Sequence, residues 1–366
     1  MILYWYFTHK FMSSFIRVFL IIGLLIFFVD TMENIRSLSS SNITLVKAIA
    51  LASTRSPSFI REAMPIIVML AGLIFCVGLA RTNEFVISRA AGVSSLKALG
   101  FPILTAFLIG LVSILFLNPL VATFSTYYDS LKNNYLGRPD KTVTVNENGF
   151  WMRQKTEIGY IVITADKATQ NGNSLRDVTM IEFDQNNKAI NRIEASTATL
   201  ANDEWVLIRT KKWDLSASED NPEASSVKKS IIRVPTTITS EQILEGYPKP
   251  ETVVIWDLPK FIKAMDDAGF SSRRHRVHFQ MELARPILFA AMLIIGAVFT
   301  LKNARLGNLG ISVLMALLCG FSLHFFQNLA KTLGEAGEIP IFFAAWAPPL
   351  AALLTALALF LHLEDG

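Results

Sequence analysis

The chain carries no glycine-rich phosphate cradle of the form G-x-x-x-x-G-K-[ST], no H-E-x-x-H zinc pattern and no G-x-S-x-G nucleophile elbow. It therefore has no residues for nucleotide hydrolysis, zinc-assisted proteolysis or α/β-hydrolase chemistry, and reads as a non-enzyme that binds no cofactor of its own. Cysteine is scarce too: the 2 present, Cys76 and Cys319, both sit inside apolar runs, where a thiol behaves as a small buried hydrophobe and not as half of a disulfide or metal pair. Charged residues make up only 17% of the 366 positions, whereas apolar residues make up 52% and the mean hydropathy is +0.41. An ordinary soluble domain is not so apolar. The net charge of +4 carries little weight for nucleic acid, because basic loops are also what membrane topology produces.

Long apolar runs are what the chain has instead. A bilayer core of roughly 30 Å needs about 20 apolar residues in a helix, with every backbone polar group satisfied internally. Six runs qualify: Phe11 to Val29, Ala63 to Ala80, Ala98 to Ala122, Pro286 to Leu301, Leu306 to Ala330 and Ile339 to Leu363. The fourth is short unless it extends back through "FQMELAR", where Glu282 and Arg285 stand three apart and can pair near the interface. The first is a retained span, since a charged edge follows it and no small-residue cleavage site does.

A polar interval divides the spans into two sets of three, giving segments 1–135, 136–257 and 258–366. Within the interval, "YIVITA" (160–165), "DVTMIEF" (177–183), "EWVLIRT" (204–210) and "IIRVPTTI" (231–238) alternate as strands do, and Asn186 with Asn187 marks a turn between two of them. This predicts a small antiparallel β-domain. The stretch "SASEDNPEASS" (216–226) is a polar connection. With the N-terminus inside, one side collects Lys10, Arg17, Arg81, Arg89, Lys97, Lys302 and Arg305, and the other collects Arg36, Lys47, Arg55, Arg61 and Lys331 in its short loops. The bias puts the β-domain outside the cytoplasm.

Two polar stretches have more than one reading. In "ARTNEFVISRAAGVS", a short amphipathic helix near 81–92 presents Phe85, Val86 and Ile87 against Arg81, Glu84 and Arg89, with Gly92 as its stop. It either lies on the membrane face or docks into a groove of a cytoplasmic motor. In "FFVDTMENIRS", Asp30, Glu33 and Arg36 share one helix face to within about 60°. They either end the helix at the water interface or face a ligand there.

The segment "RTNEFVISRAAGVS" resembles the coupling-helix region of the LptF/LptG family of lipopolysaccharide-export permeases. "NENGFWMR" (146–153) with "YIVITA", "FQMELARPI" (279–287) and "GEIPIFFAAWAPPL" (337–350) match other parts of the family pattern in order. The resemblance covers essentially the whole chain. "FVDTMENIR" and the stretch from Trp256 to Pro286 are closer to the LptG branch than to the LptF branch.

The resemblance implies a polytopic helical membrane protein of the bacterial inner membrane, with six transmembrane helices (3+3) and an inserted periplasmic antiparallel β-jellyroll. The implied partners are an LptF-like permease subunit, an LptB-like ATPase dimer that uses the ATP, and LptC/LptA-like periplasmic bridge proteins; the substrate is lipopolysaccharide. The coupling residues would be Arg81, Glu84, Phe85, Arg89 and Gly92. The lipid-binding candidates are Phe27, Asp30, Glu33, Arg36, Met64, Lys132, Arg273, Arg274, Arg276, Phe321, Phe325 and Leu329. Acidic residues do not bind phosphate directly, and the sequence has Phe27, Glu33 and Asn34 where some relatives carry basic residues. Phosphate contact is therefore expected mainly of Arg36, Lys132 and the "SSRRHR" run (271–276), where arginine's planar fork matches the oxygens. That run also suits a plain headgroup anchor.

Three rivals stand: an LptF-like subunit, a membrane scaffold that recruits partners through the β-domain, and a secondary transporter. The last needs ionisable groups deep in the spans, and Arg17 and His324 are almost the only ones. His324 reads most simply as bonded to a neighbouring helix.

Overall fold

The computed structural model of the chain describes residues 2–37, 44–90, 92–136, 143–146, 149–156, 159–168, 173–201, 203–216, 223, 226–236, 248–267, 269–304 and 309–365. Two compact units emerge, Met1–Leu136 with Arg276–Gly366, and Gly137–His275.

In the helical unit, α1 (Ile2–Ser37) and α2 (Leu45–Arg81) are followed by the short α3 (Glu84–Ala90). The third span is α4 (Ser95–Val112), one π-helical stretch (Ser113–Leu117) and α5 (Asn118–Leu136) in continuous succession. Pro119 accounts for the wide turn: it has no N–H to offer the carbonyl of Leu115, and Asn118 N–H bonds back to Ser113 C=O instead. The α3 helix stops because Gly92 adopts φ +79°, a left-handed conformation that lets Val93 N–H reach Ser88 C=O at 3.0 Å.

After the β-domain come α6 (Leu258–Asp267), α7 (Arg273–Ala304), α8 (Leu309–Ala336) and α9 (Ile341–Asp365). Among the described residues, six helices are long and apolar enough to cross a membrane: α1, α2, α4–α5, α7, α8 and α9. The expected six spans are there, several of them longer than their apolar runs. The first extends over Leu3–Arg36 and the second over Leu45–Arg81, so Lys47, Arg55 and Arg61, expected in an outer loop, all lie on α2.

The core of this unit is built around α7. Its stretch Leu288–Val298 is apolar all round, as a helix enclosed on every side must be. Glycines let it approach its neighbours: a Cβ on Gly296 would lie 2.8 Å from Met69 O on α2, and one on Gly110 of α4 would lie 2.5 Å from Pro286 Cα. In the most apolar 18 residues of each span, 78% are buried in α7 and 61% in α2, against 17% in α1 and 11% in α8. Two spans are thus left with bare apolar sides.

The second unit holds one antiparallel sheet of seven strands in the order β1-β2-β3-β4-β5-β6-β7: Val143–Asn146, Gly149–Lys155, Gly159–Ala168, Ser174–Asp184, Ala189–Ala201, Glu204–Asp214 and Val227–Pro235. Every strand pairs with its sequence neighbours, a meander. Asn187 takes the positive φ of the β4–β5 turn, where Asp184 Oδ1 accepts the Asn186 and Lys188 N–H groups at 2.8 Å each. Asp177 and Arg209, also at positive φ, stand outside the paired register as bulges. Alternate residues Phe150, Met152, Ile161, Ile163, Trp205 and Leu207 fill one face, together with Met265 of α6 and Phe270. The sequence reading grouped α6 with the last three spans; it belongs to the sheet's unit, because its buried side chains complete the sheet's core. Of the stretch 216–226, most residues lie outside those described, as do 237 and 238 of the fourth expected strand.

Candidate functional site

Three places in the helical unit collect the residues that the sequence singled out. At the first, the start of α1 meets α3. Lys10 Nζ donates to Glu84 Oε1 at 2.6 Å, Thr82 Oγ1 donates to the same oxygen at 2.6 Å, and the Tyr6 hydroxyl does so at 3.4 Å. Burial pushes the Glu84 carboxyl upward, but these donors and the ammonium charge more than offset it and hold the group below the usual carboxylate range. Phe85 is buried and stacks on Phe7 with ring centroids 6.3 Å apart, and Phe7 meets Phe75 of α2 edge-on at 6.4 Å. Arg81 is exposed, and so is Ile87. The side chain of Arg89 lies outside the described residues.

At the second, the far end of α1 meets α2 and α5. The three charges expected on one face divide. Asp30 is 3% exposed and accepts from Asn34 at 3.3 Å and from Arg55 of α2 at 3.4 Å, while Glu33 and Arg36 are exposed. Asp30 is thus an internal counter-ion. Arg55 also lies over the rings of Phe59 and Tyr128, at 4.7 and 5.4 Å, and Lys132 lies 5.6 Å from the Tyr128 ring. The exposed cations at this end are Arg36 and Lys47, with Lys132 half-buried. Phe27 is half-buried too, its carbonyl accepting from Thr31. Arg273 and Arg274 open α7, Arg274 and Arg276 exposed and Arg273 half-buried.

The third is the bare side of α8. Phe321, Phe325 and Leu329, spaced by four, are 54%, 63% and 44% exposed. Exposed Leu314 and Leu318 continue the stripe, and α1 presents Ile21, Leu25, Phe28 and Met32 in the same manner. Met64, expected among the acyl-chain contacts, is instead 5% exposed and packed in the helical core, so it offers no surface. His324 bonds Asn328 one turn along its own helix, at 3.0 Å, not a neighbouring one.

Two cavities and one charge cluster add residues that the sequence did not suggest. An apolar cavity of about 550 Å³ lies among α7, α8 and α9, lined by Phe299, Phe326, Leu329, Leu333 and Pro348 among others. In the sheet's unit, a cavity of about 860 Å³ is lined by Ile161, Met180, Ile193, Ile232 and Val234 with Glu182, Asn191, Lys212 and Arg233. An apolar lining with a few convergent polar groups suits an amphiphile. Strand alternation was the available signal, but it does not say which face is hollow.

The charge cluster joins α2 to α7. Arg61 and Glu282 are 2% and 1% exposed, with Arg61 Nη1 3.6 Å from Glu282 Oε1. Arg285 donates to the same carboxylate at 2.6 Å and to Arg61 C=O at 3.2 Å. The predicted Glu282–Arg285 pair exists, but it is enclosed by the unit and not at an interface.

Six apolar spans around one encased helix, with an antiparallel β-domain inserted between the third and fourth, define a multi-pass membrane protein of the permease kind. The chain belongs to the family described as lipopolysaccharide export system permease LptF/LptG, whose model matches residues 5–362. It is therefore a permease of lipopolysaccharide export. No curated protein matches it.

Proposed function

We propose that the chain is the LptG-type subunit of an exporter in the bacterial inner membrane, paired with an LptF-like subunit and driven by a separate LptB-like ATPase dimer that uses the ATP. The lipid moves along the bare faces of α1 and α8. Its phosphorylated sugars meet Arg36, Lys132 and the arginines at 273, 274 and 276, while its acyl chains lie against Phe321, Phe325 and Leu329. The β-domain, in the periplasm, receives the lipid and hands it to LptC/LptA-like bridge proteins. The chain itself binds no cofactor.

The observation that carries this reading is the uneven covering of the spans: α7 is shielded nearly all round, whereas α8 and α1 leave continuous apolar stripes for a partner or an amphiphile. LptG is preferred over LptF on "FVDTMENIR" and on the stretch from Trp256 to Pro286.

Photo-crosslinkers placed at Phe321 and Phe325 in cells should capture lipopolysaccharide, and one at Phe289, fully buried on α7, should not. Equal yields at all three positions would remove the assigned path. The ATPase docks on the exposed side of α3. An aspartate at Ile87, which is 64% exposed, is expected to lower the ATPase recovered with the purified permease at least about tenfold, the effect of losing one apolar anchor and burying a carboxylate in its place.

A further inference from the structure

The α3 helix has two unlike sides. Ile87 points away from the protein, free to meet a partner, whereas Glu84 and Phe85 face α1. Glu84 spends one carboxylate oxygen on three donors, two of them on α1, and its other oxygen is enclosed with no hydrogen-bond partner. Under this clasp, Phe7 stacks on Phe85, and Phe7 and Phe11 both meet Phe75 edge-on. Lys10 Nζ is also 5.3 Å from the Tyr6 ring, so the ammonium sits between the carboxylate and an aromatic of its own helix.

We infer that Lys10 and Glu84 are positioning residues that tie α3 to α1, so that motor movement received by α3 displaces the first span directly. On this inference the Glu84 carboxylate works inward, on Lys10, and not outward as a contact to the ATPase. The assignment follows from geometry: the acid is saturated from within the chain, while the open side of α3 is apolar. It matters for transport because α1 is one of the two spans with a bare face, so a pull on α3 reaches that face without first deforming the encased α7. The inference rests on the reading that α3 docks to an ATPase.

A charge exchange in the complete transporter, reconstituted with its ATPase in nanodiscs holding lipopolysaccharide, tests it. Lys10→Glu and Glu84→Lys alone should each lower the lipopolysaccharide released per ATP hydrolysed roughly fivefold, the loss expected for one part-buried charge-assisted bond. The double variant Lys10→Glu with Glu84→Lys, which restores the pair with its poles reversed, should recover most of that ratio, and Lys10→Arg should stay near the wild type. A double variant as poor as Glu84→Lys, having also lost the ATPase, overturns the inference and makes Glu84 a docking contact. A double variant that keeps the ATPase but stays uncoupled overturns it as well. The docking reading fails separately, if Ile87→Asp retains the ATPase as firmly as the wild type does.

Discussion

Glu282→Ala is expected to remove about 3 to 5 kcal/mol of stability, enough to empty most preparations of folded permease, because it strands two buried guanidinium groups without a counter-charge. Arg61, at 2% exposure, and Arg285 both face the one carboxylate, at 3.6 and 2.6 Å. No water-filled path dilutes their repulsion in so enclosed a place. The reverse substitution is informative. Arg61→Met removes one of the two cations, leaves the 2.6 Å Arg285–Glu282 pair intact and keeps an unbranched side chain in the space; its cost should be about 1 kcal/mol or less. Melting temperatures of the two purified variants in one detergent decide the matter. If they fall together, net charge is not what the cluster balances.

The second large effect is steric. Gly110→Val should cost about 3 kcal/mol, because even the first added carbon would stand 2.5 Å from Pro286 Cα and 3.0 Å from its nitrogen. Both obstructing atoms are backbone, and the proline ring allows little adjustment of φ. Relief requires α4 and α7 to move apart. Gly100, ten residues earlier on the same helix, meets nothing within 4 Å, so Gly100→Ala should be neutral or slightly stabilising by helix propensity alone. A thermal shift that fails to separate the two glycines would refute the close crossing.

The contrast between these residues shows what the sequence could and could not disclose. Spans are local objects, and their apolar runs announced all six. Their ends were less legible: a charge normally marks an interface, but Asp30 is turned inward by Arg55, 25 positions further along the chain. Arg61 looked like a loop residue because Lys47, Arg55 and Glu62 surround it in sequence. Its partner on α7 is more than two hundred positions away, and no periodicity reports that. In the β-domain, four strands showed the β-branched alternation and were found. The polar, alanine- and threonine-rich β5 did not, yet it pairs along both edges. There neighbours on either side, and not its own composition, decide the conformation.

The candidate site divides in the same way. The stop at Gly92 and the apolar stripe of α8 were legible, being matters of local geometry and spacing. The inward role of Glu84 and Asp30 was not, because each depends on a cation from another helix. Met64 was misjudged for the opposite reason: an apolar residue on a span looks the same whether it lines a path or fills the core, and only the neighbours of α2 reveal which.

The wide turn at Ser113–Leu117 acts as an angular shim in the third span. One residue deleted there would return the segment to ordinary helical pitch, shorten it by only about 1.5 Å, and swing all that follows by about 100°. Tyr128 would then rotate off Leu51, leaving the ring that now receives Arg55 aimed elsewhere. The span has slack in length and almost none in azimuth, so evolution can trim its tail far more freely than its middle.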